Sequence, residues 1–224
     1  YSPMNVMPKK YEVVFALDNI KFVRGDRDVI TTTEIVVSRT HHAEIRKITL
    51  KNIGNKDKEL ELTTYTEPIL AMNMDDVSHP VFNNLFVYSE YDEETNSIIM
   101  RRKLRNSNTT YYMINRLLVE DALGDFEYET NRSNFIGRGR NTDKPLALDK
   151  KLRNYVGTTL DPIISLRNRV LVPRGEEKTV YLISGFGKSR EQALDIVRTY
   201  SNKQTISEKG FETTSIMSDV GNKL

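Results

Sequence analysis

The chain of 224 residues contains no cysteine, and only three of its side chains are histidines. The missing cysteines exclude disulfide bridges, cysteine-ligated zinc and a Cys/His catalytic dyad, and they fit a reducing compartment such as the cytoplasm. His41 and His42 are adjacent, so in a strand they would point to opposite faces, and His79 stands alone before a proline. We therefore expect no metal site and no cofactor.

Long apolar runs and an excess of one charge are also missing. No stretch approaches the ~20 apolar residues that span a bilayer, so we expect no direct membrane insertion. The 33 basic and 31 acidic side chains are spread along the chain and leave a net charge of +2, which excludes a general nucleic-acid-binding surface. The opening Tyr1-Ser-Pro-Met has no signal-peptide pattern and favours a segment trimmed from a longer protein.

Short apolar runs bounded by turn residues recur along most of the chain. They are typical of antiparallel strands, and with almost no helical periodicity they predict an all-β fold, a large two-sheet sandwich. The run Val180 to Ile183 is apolar at every position and predicts a central strand, buried on both faces. The predicted strands are 11–17, 26–37, 43–53, 59–65, 85–91, 97–103, 111–119, 126–130, 163–172 and 178–184.

Four local features of this strand pattern carry specific expectations. The residues Arg24-Gly25-Asp26 predict a turn between the first two runs. The apolar positions in 43–53 change parity after Ile45, which predicts a β-bulge near Lys47. Leucine alternates with glutamate in 59–65, so this segment is predicted to form a hairpin with the preceding strand and to keep one solvated face. The segment from Asp75 to Phe82 holds a proline and two aspartates and is predicted to be a loop.

The sequence Gly185-Phe-Gly-Lys-Ser189 has the ending of a phosphate-binding loop but not its spacing. That motif requires a glycine five residues before its second glycine, where this chain has Leu182, so we assign no nucleotide site. Ser189 and Gln192 instead form a capping-box pattern. They predict a helix with one apolar face, made of Ala193, Leu194, Val197 and Tyr200.

Three pairs of acids could in principle supply the two carboxylates of a glycosidase, which lie about 5 to 9 Å apart. Asp75-Asp76 and Glu93-Glu94 fall in predicted turns, where solvated acids are ordinary. Glu127 and Glu129 share one face of a strand, and we expect that face to be solvated. No catalytic residue is therefore assigned.

The stretch from Asn134 to Arg169 predicts a long, ordered excursion that re-enters a sheet. Phe135 and Ile136 are expected to anchor it, and the glycines on either side of Arg138 allow the backbone to turn. Arg138 and Arg140 would then point outward on one side and suit an anionic or polyhydroxylated partner. The alternative is a pair of internal salt bridges to acids such as Glu127 or Asp161.

Exposed aromatic side chains would distinguish a sugar-binding surface from an ordinary one. Tyr155 follows the arginine stretch and is a candidate glycan contact, and Tyr91, Tyr111 and Tyr112 offer further rings. Core packing is the alternative for each of these tyrosines. His79 is a further candidate contact because it lies in a predicted loop.

Several separated motifs resemble the β-sandwich domain of glycoside hydrolase family 94, in the branch of cyclic β-1,2-glucan synthases and β-1,2-oligoglucan phosphorylases. The resemblance covers roughly residues 11–200 and implies a galactose-mutarotase-like supersandwich with a C-terminal helix. We expect residues 1–200 to form this domain and residues 201–224 to form a linker or helical connector. The motifs are Leu60-Glu-Leu-Thr-Thr-Tyr65, Ser78-His-Pro-Val-Phe-Asn-Asn-Leu-Phe-Val-Tyr88, Asn134-Phe-Ile-Gly-Arg-Gly-Arg140, Val156-Gly-Thr-Thr-Leu-Asp-Pro-Ile-Ile-Ser-Leu-Arg167, and Arg174-Gly-Glu-Glu-Lys178 leading to Lys188-Ser-Arg-Glu-Gln-Ala193.

The resemblance also implies partners. In the family this domain packs against an (α/α)6 barrel and helps to form a homodimer, and the barrel carries the general acid and the inorganic phosphate pocket. A barrel of about a dozen helices does not fit in the 24 residues after Tyr200. We therefore expect a non-catalytic domain with scaffold, dimerisation and β-glucan contact roles, in the cytoplasm or in the cytoplasmic part of a membrane-bound synthase. A stand-alone carbohydrate-binding module and a protein-interaction sandwich are the alternatives.

Overall fold

The computed structural model describes residues 6–105 and 107–211. Its strands in chain order are β1 (Lys10–Phe15), β2 (Asn19–Asp26), β3 (Val29–Val37), β4 (Ala43–Asn52), β5 (Lys58–Thr63), β6 (Tyr88–Asp92), β7 (Ser97–Lys103), β8 (Thr110–Leu118), β9 (Leu123–Asn131), β10 (Pro162–Val172) and β11 (Glu177–Gly187). The helices are α1 (Asn73–Ser78), α2 (Pro80–Asn84), α3 (Arg132–Ile136), α4 (Arg190–Thr199) and α5 (Lys203–Gly210), with a one-turn 3₁₀ helix at Leu146–Leu148.

The strands form two antiparallel sheets. The large sheet has eight strands in the order β1-β2-β3-β4-β11-β8-β7-β6, and the small sheet has three in the order β5-β10-β9. Strand β11 is central in the large sheet, as its uniformly apolar run predicted. The predicted two-sheet antiparallel supersandwich with a C-terminal helix is thus confirmed. Residues 212–224 of the predicted connector lie outside the described residues.

Two apolar cores show how the small sheet and helix α4 pack on the large sheet. Ile48, Leu50 and Val180 of the large sheet pack against Val170 and Val172 of the small sheet. The opposite face of the large sheet is covered by α4, whose predicted apolar residues all lie in one cluster with the sheet. That cluster includes Ile45, Ile114, Ile183, Ala193, Leu194, Val197 and Tyr200.

The predicted cap of α4 is present in a modified form. The Ser189 side chain accepts from the backbone nitrogen of Gln192 at 3.1 Å. The Gln192 side chain accepts from the backbone nitrogen of Lys188 at 2.9 Å, one residue before the N-cap. The two side chains therefore still satisfy two backbone donors at the start of the helix.

The bulge predicted near Lys47 is wrong. Strand β4 pairs with β3 and with β11 in unbroken register along its length. The change of parity has another cause: Ala43 and Ile45 pack under α4, whereas Ile48 and Leu50 pack against the small sheet. A regular strand whose two halves are covered on opposite faces therefore reproduces the sequence pattern of a bulge.

Strand β2 was not predicted, and the turn was placed too early. Arg24-Gly25-Asp26 is the end of β2, which pairs with β1 and β3. The chain turns instead at Arg27 and Asp28, where Arg27 has φ of 52°. A two-residue hairpin of this kind needs positive φ, so Arg27 carries the backbone conformation that a glycine usually supplies.

The predicted hairpin of β4 with β5 is also wrong. Both edges of β4 are occupied, and β5 pairs with β10 in the small sheet, with Leu60 opposite Val170. The crossing between sheets is fixed by Asn52, a fully buried side chain that donates to the carbonyls of Lys56 and Val172 at 2.8 and 3.0 Å. The predicted solvated face of β5 is present, since Glu59 and Glu61 pair with Arg169 there.

Two further expectations are corrected. The segment 75–82 is not a loop, because it forms most of α1 and most of α2, with Pro80 in the first turn of α2, where a missing N–H costs nothing. Glu127 and Glu129 do not lie on a solvated face: they are 6% and 1% exposed because residues 132–155 cover the outer face of the small sheet. Among the described residues, no helix is both long and apolar enough to span a membrane.

Candidate functional site

The predicted excursion after β9 is present and begins with α3. The Asn131 side chain caps α3 by accepting from the Ser133 backbone nitrogen at 2.9 Å. Phe135 and Ile136 are buried, as predicted, with Ile163 of the small sheet. Gly137 has φ of 84°, and a Cβ there would lie 2.7 Å from the Leu146 Cβ. Both the backbone conformation and the space therefore restrict this position to glycine.

The two candidate arginines after this anchor have different surroundings. Arg140 forms an ion pair with Asp149, so the alternative of an internal salt bridge holds for this arginine, although its partner is neither Glu127 nor Asp161. Arg138 is exposed, and it makes no ion pair within residues 6–105 and 107–211. The predicted outward presentation therefore leaves Arg138 as the open guanidinium of the pair.

A cleft of ≈ 630 Å³ lies beside these residues, inside the loop that leads to the 3₁₀ helix. Its wall carries two cations, Arg140 and Lys144, and one carboxylate, Asp149. Such a mixed wall can hydrogen-bond a hydroxylated or an anionic ligand. The other lining residues are Gly139, Asn141, Pro145 and Leu148.

A chain of polar contacts links this excursion to the segment between β5 and β6. Tyr65 donates to Glu67 Oε1 at 2.5 Å and accepts from Arg132 Nε at 3.0 Å. Arg132 also lies 3.5 Å from Asp161, which accepts from the Asn84 amide at 3.4 Å. Burial, followed by the hydrogen bond to Glu67, raises the pKa of Tyr65 to about 12. Tyr65 therefore stays protonated at neutral pH and keeps its donor role.

Sequence reasoning missed most of this chain. Asp161 was considered only as a partner for the other arginines, Tyr65 only as the end of a family motif, and Arg132 and Glu67 were not considered at all. The sequence offered one signal, a charged residue in each of two predicted loops. Which loops lie next to each other, however, depends on the order of the strands in the sheets. These polar contacts connect the segment between β5 and β6, which carries His79, to the excursion that carries Arg138.

His79 lies at the junction of α1 and α2, and its side chain is exposed. Of the residues in these two helices, only Asn83 is buried. Asn83 accepts from Arg102, a side chain 3% exposed that also donates to the Leu70 carbonyl at 2.9 Å. We call the exposed apolar side chains of this segment the apolar shelf: Ile69, Met72, Met74, Val77, Val81, Phe82, Leu85 and Phe86.

Tyr155 is 40% exposed and belongs to a short segment, residues 154–158, that joins the two sheets at one side of the sandwich. Tyr155 bridges Glu129 of the small sheet in parallel, and Thr158 bridges Tyr88 of the large sheet in antiparallel. The Tyr155 hydroxyl donates to the Thr158 carbonyl at 3.1 Å. We call residues 154–158 the seam.

The other tyrosines considered for sugar contact are packed against neighbours. Tyr91 stacks on Tyr128 with ring centroids 4.6 Å apart, and Tyr111 contacts Phe186 at 5.0 Å. Tyr112 packs against the cluster under α4. Core packing, the alternative considered for these three tyrosines, is what the structure has.

The histidines of the β3–β4 turn lie apart, as their adjacency predicted. His41 contacts Tyr200 and lies 3.8 Å from Asp195 on the α4 side, whereas His42 contacts Phe186. No three His, Cys, Asp or Glu side chains among the described residues are grouped so that they could hold a metal ion.

Comparison with known proteins identifies the family. Residues 1–203 match the family described as Glycosyl hydrolase 94, supersandwich domain. The chain is 31% identical over 211 residues to the cyclic beta-(1,2)-glucan synthase NdvB of Rhizobium meliloti (strain 1021), and the match covers 92% of this chain and 8% of that protein. Among solved structures, a bacterial glucoamylase complexed with acarbose has a TM-score of 0.54 at 13% identity, over 87% of this chain and 26% of that one.

The likeness to the glucoamylase concerns the fold alone. The chain spans only 8% of the length of the synthase and 26% of the glucoamylase chain, so each of these proteins contains much that has no counterpart here. The family match, in contrast, extends over most of the chain and agrees with the two antiparallel sheets and the helix α4. The chain therefore belongs to the supersandwich domain family of glycosyl hydrolase family 94.

Proposed function

We propose that this chain is a non-catalytic domain of a longer β-glucan phosphorylase or cyclic β-1,2-glucan synthase, with roles in scaffolding, dimerisation and glycan contact. The observation that carries the proposal is Arg138, an exposed guanidinium on a loop that the buried side chains of Phe135 and Ile136 anchor. The family match and the identity to a glucan synthase support the substrate class. The absence of cysteine fits the cytoplasmic location that we propose for the domain.

The residues that precede Arg138 make its loop rigid. Phe135 and Ile136 are 5% and 7% exposed, and the Gly137 nitrogen donates to the Ser133 carbonyl at 3.0 Å. A guanidinium on such a support loses little freedom when it binds, and it offers paired donors to neighbouring hydroxyls or to phosphate. Arg140 and Lys144 in the adjacent cleft extend the same donor surface. A glycan or inorganic phosphate held by the parent enzyme is the proposed partner.

The apolar shelf is the surface that we propose for the (α/α)6 barrel of the parent. Its eight side chains are between 38% and 74% exposed, and so many exposed apolar side chains within one short segment favour an interaction surface. Arg102 and Asn83 hold the shelf from inside, so it is supported before any partner arrives. His79 lies within the same segment and would be brought to the contact with it.

The outer strands of the large sheet supply a surface for a second copy. The small sheet reaches only part of the large sheet, and α4 packs Val36 from the other side. Because side chains alternate, Ile35 and Val37 face away from α4, and the exposed Phe15 and Val37 are 75% and 69% accessible. We propose that the face of the outer strands that carries Ile35, Val37 and Phe15 contributes to the homodimer.

The test uses the full-length parent enzyme acting on β-1,2-glucan. Arg138→Ala should lower kcat/KM by at least about tenfold, which is the effect of losing one hydrogen bond to a charged group. Arg169→Ala is the matched control, because Arg169 is a half-buried arginine that pairs with Glu59 and Glu61, away from the loop of Arg138. Unchanged kinetics with Arg138→Ala, or a loss matched by a lower melting temperature, would contradict the glycan role.

A second measurement tests the non-catalytic part of the proposal. The 224-residue chain, incubated with β-1,2-glucan oligosaccharides and phosphate, should release no glucose 1-phosphate above background. Release by the pure chain that survives further purification would refute it. If the isolated 224-residue chain binds glucan, but Arg138→Ala leaves the turnover of the parent enzyme unchanged, a stand-alone carbohydrate-binding module is favoured instead.

A further inference from the structure

Thr158 of the seam lies between two exposed tyrosines that come from different parts of the chain. It is the antiparallel bridge partner of Tyr88, and its carbonyl accepts from the hydroxyl of Tyr155 at 3.1 Å. Both tyrosines are 40% exposed. Antiparallel bridge partners have Cα atoms about 4.5 to 5.5 Å apart, so the Tyr88 side chain begins close to Thr158, whereas the Tyr155 side chain reaches Thr158 with its hydroxyl.

Buried hydroxyls hold this part of the seam in place. The Ser89 hydroxyl donates to the Gly157 carbonyl at 2.9 Å and accepts from the Gly157 nitrogen at 2.9 Å. The Thr130 hydroxyl, 3.1 Å from that of Ser89, donates to the Tyr155 carbonyl at 2.9 Å. The backbone that carries Tyr155 is therefore fixed to both sheets.

The ring of Tyr88 is held in a different way. The guanidinium of Arg101, its partner across β6 and β7, lies over the ring at 4.8 Å from the centroid. This cation–π contact occupies one face of the ring and orients it without a hydrogen bond to its hydroxyl. The ring thus has a fixed direction while much of its surface remains accessible.

We propose that Tyr88 and Tyr155 form a two-ring platform that binds a neutral β-glucan chain, with one glucosyl unit stacked near each ring. Pyranose rings present C–H faces that pack on aromatic rings, and their hydroxyls need donors and acceptors at the rim. Thr158, Asn154 and Arg101 are exposed and supply those groups. The platform deepens the proposed glycan role and rests on it, but it uses residues other than Arg138.

Binding to the platform is measured on the 224-residue chain with a linear β-1,2-glucan oligosaccharide as the probe. The chain contains no tryptophan, so its emission comes from its 11 tyrosines, and the part of a fluorescence change that is lost in Tyr88→Ala or Tyr155→Ala reports on those two rings; calorimetry gives the affinity independently. Tyr88→Ala and Tyr155→Ala should each weaken the affinity at least about fivefold, and Tyr88→Phe should retain it, because the ring rather than the hydroxyl stacks. Leu171→Ala is the control: Leu171 is about as exposed as the two tyrosines, at 42%, but lies in β10, the middle strand of the small sheet.

The outcomes separate the platform from the proposed function. If the probe binds and both tyrosine variants leave its affinity unchanged, the platform is wrong; if Arg138→Ala then abolishes binding, the glycan role stands without it. No binding up to about 10 mM oligosaccharide also overturns the platform, while the turnover test on the parent is unaffected. Stronger binding of an anionic polysaccharide than of the neutral probe would refute the assigned ligand class.

Discussion

Gly187 lies directly against the start of helix α4: a Cβ at this position would be 2.9 Å from the backbone nitrogen of Ala193 and 3.1 Å from the Ser189 carbonyl oxygen. The segment Gly185–Ser189 therefore brings a strand and a helix into close contact. Its glycines leave room for the helix, which explains why a sequence that ends like a phosphate loop occurs without the rest of that motif.

Substitution of Gly187 tests this contact. Gly187→Ala should reduce the free energy of unfolding by about 1 to 3 kcal/mol, because the added methyl group must displace helix backbone. Lys188→Ala, one residue away and exposed, should have almost no effect. Denaturant unfolding followed by circular dichroism measures both variants, and equal stability of Gly187→Ala and the wild type would contradict the close packing.

The cap of α4 gives a second, independent prediction. Ser189→Ala removes the acceptor of the Gln192 nitrogen and should cost about 0.5 to 2 kcal/mol of stability. Lys188→Ala again serves as the comparison, since the cap uses only the backbone of Lys188. If instead the protein binds ATP, and Lys188→Ala abolishes that binding, the segment has a nucleotide role and the cap alone does not explain it.

The most enclosed ion pair predicts the largest loss of stability. Arg167 is 3% exposed, lies 3.3 Å from Glu127 and donates to the carbonyls of Ala147 and Lys150. Arg167→Ala leaves the buried Glu127 without its cation and should cost about 3 to 5 kcal/mol.

Arg169→Ala is the matched control for that experiment. It lies two residues along β10, and its ion pairs with Glu59 and Glu61 are exposed. Its loss should cost only about 0 to 1 kcal/mol. Equal losses of stability in Arg167→Ala and Arg169→Ala would mean that burial does not make the Arg167–Glu127 pair more important than an exposed pair.

Asp92 predicts a pH dependence. Burial alone would raise the pKa of its carboxyl, but the bonds from Thr95 and Arg190 hold that pKa below its ordinary value. Because the folded pKa is depressed, the stabilisation is present above the unfolded pKa of about 3.9 and is lost as the pH falls through the folded value.

Melting temperatures of the wild type and Asp92→Asn, measured between neutral pH and acid, check this sign. The wild type should be more stable at neutral pH, and the difference should shrink only at acidic pH, below the ordinary range of an aspartate. Glu94→Gln is the control, because Glu94 pairs with Arg198 at the surface. A difference that grows in acid would contradict the prediction.

Alternation and turn residues predicted most of the strands, because the pleat imposes a period of two wherever one face is buried. The pattern failed where burial changes within a strand: the parity change in β4 arises from α4 on one face and the small sheet on the other. It also failed at β5, whose partner depends on which strand edges are already occupied. Local sequence carries no information about that occupancy.

The candidate site was predictable in its anchors but not in its contacts. Phe135, Ile136 and Gly137 behave as their residue types require. The ion pair of Arg140 with Asp149, nine residues later, depends on the path of the loop. Glu127 and Glu129 appear solvated in any strand pattern, because the segment that buries them follows them in the sequence and covers them only in the fold.

The seam has a consequence for self-association. Exposed strand edges are templates on which other chains can add strands. Residues 154–158 bridge β6 of the large sheet and β9 of the small one, so the backbone groups that these two edge strands use there are withdrawn from such pairing. Within residues 6–105 and 107–211, the edges that remain for strand addition are those of β1 and β5, at the other ends of the two sheets. Aggregates that form on partial unfolding should therefore grow from the β1 and β5 side, and loosening the seam should open a second direction of growth.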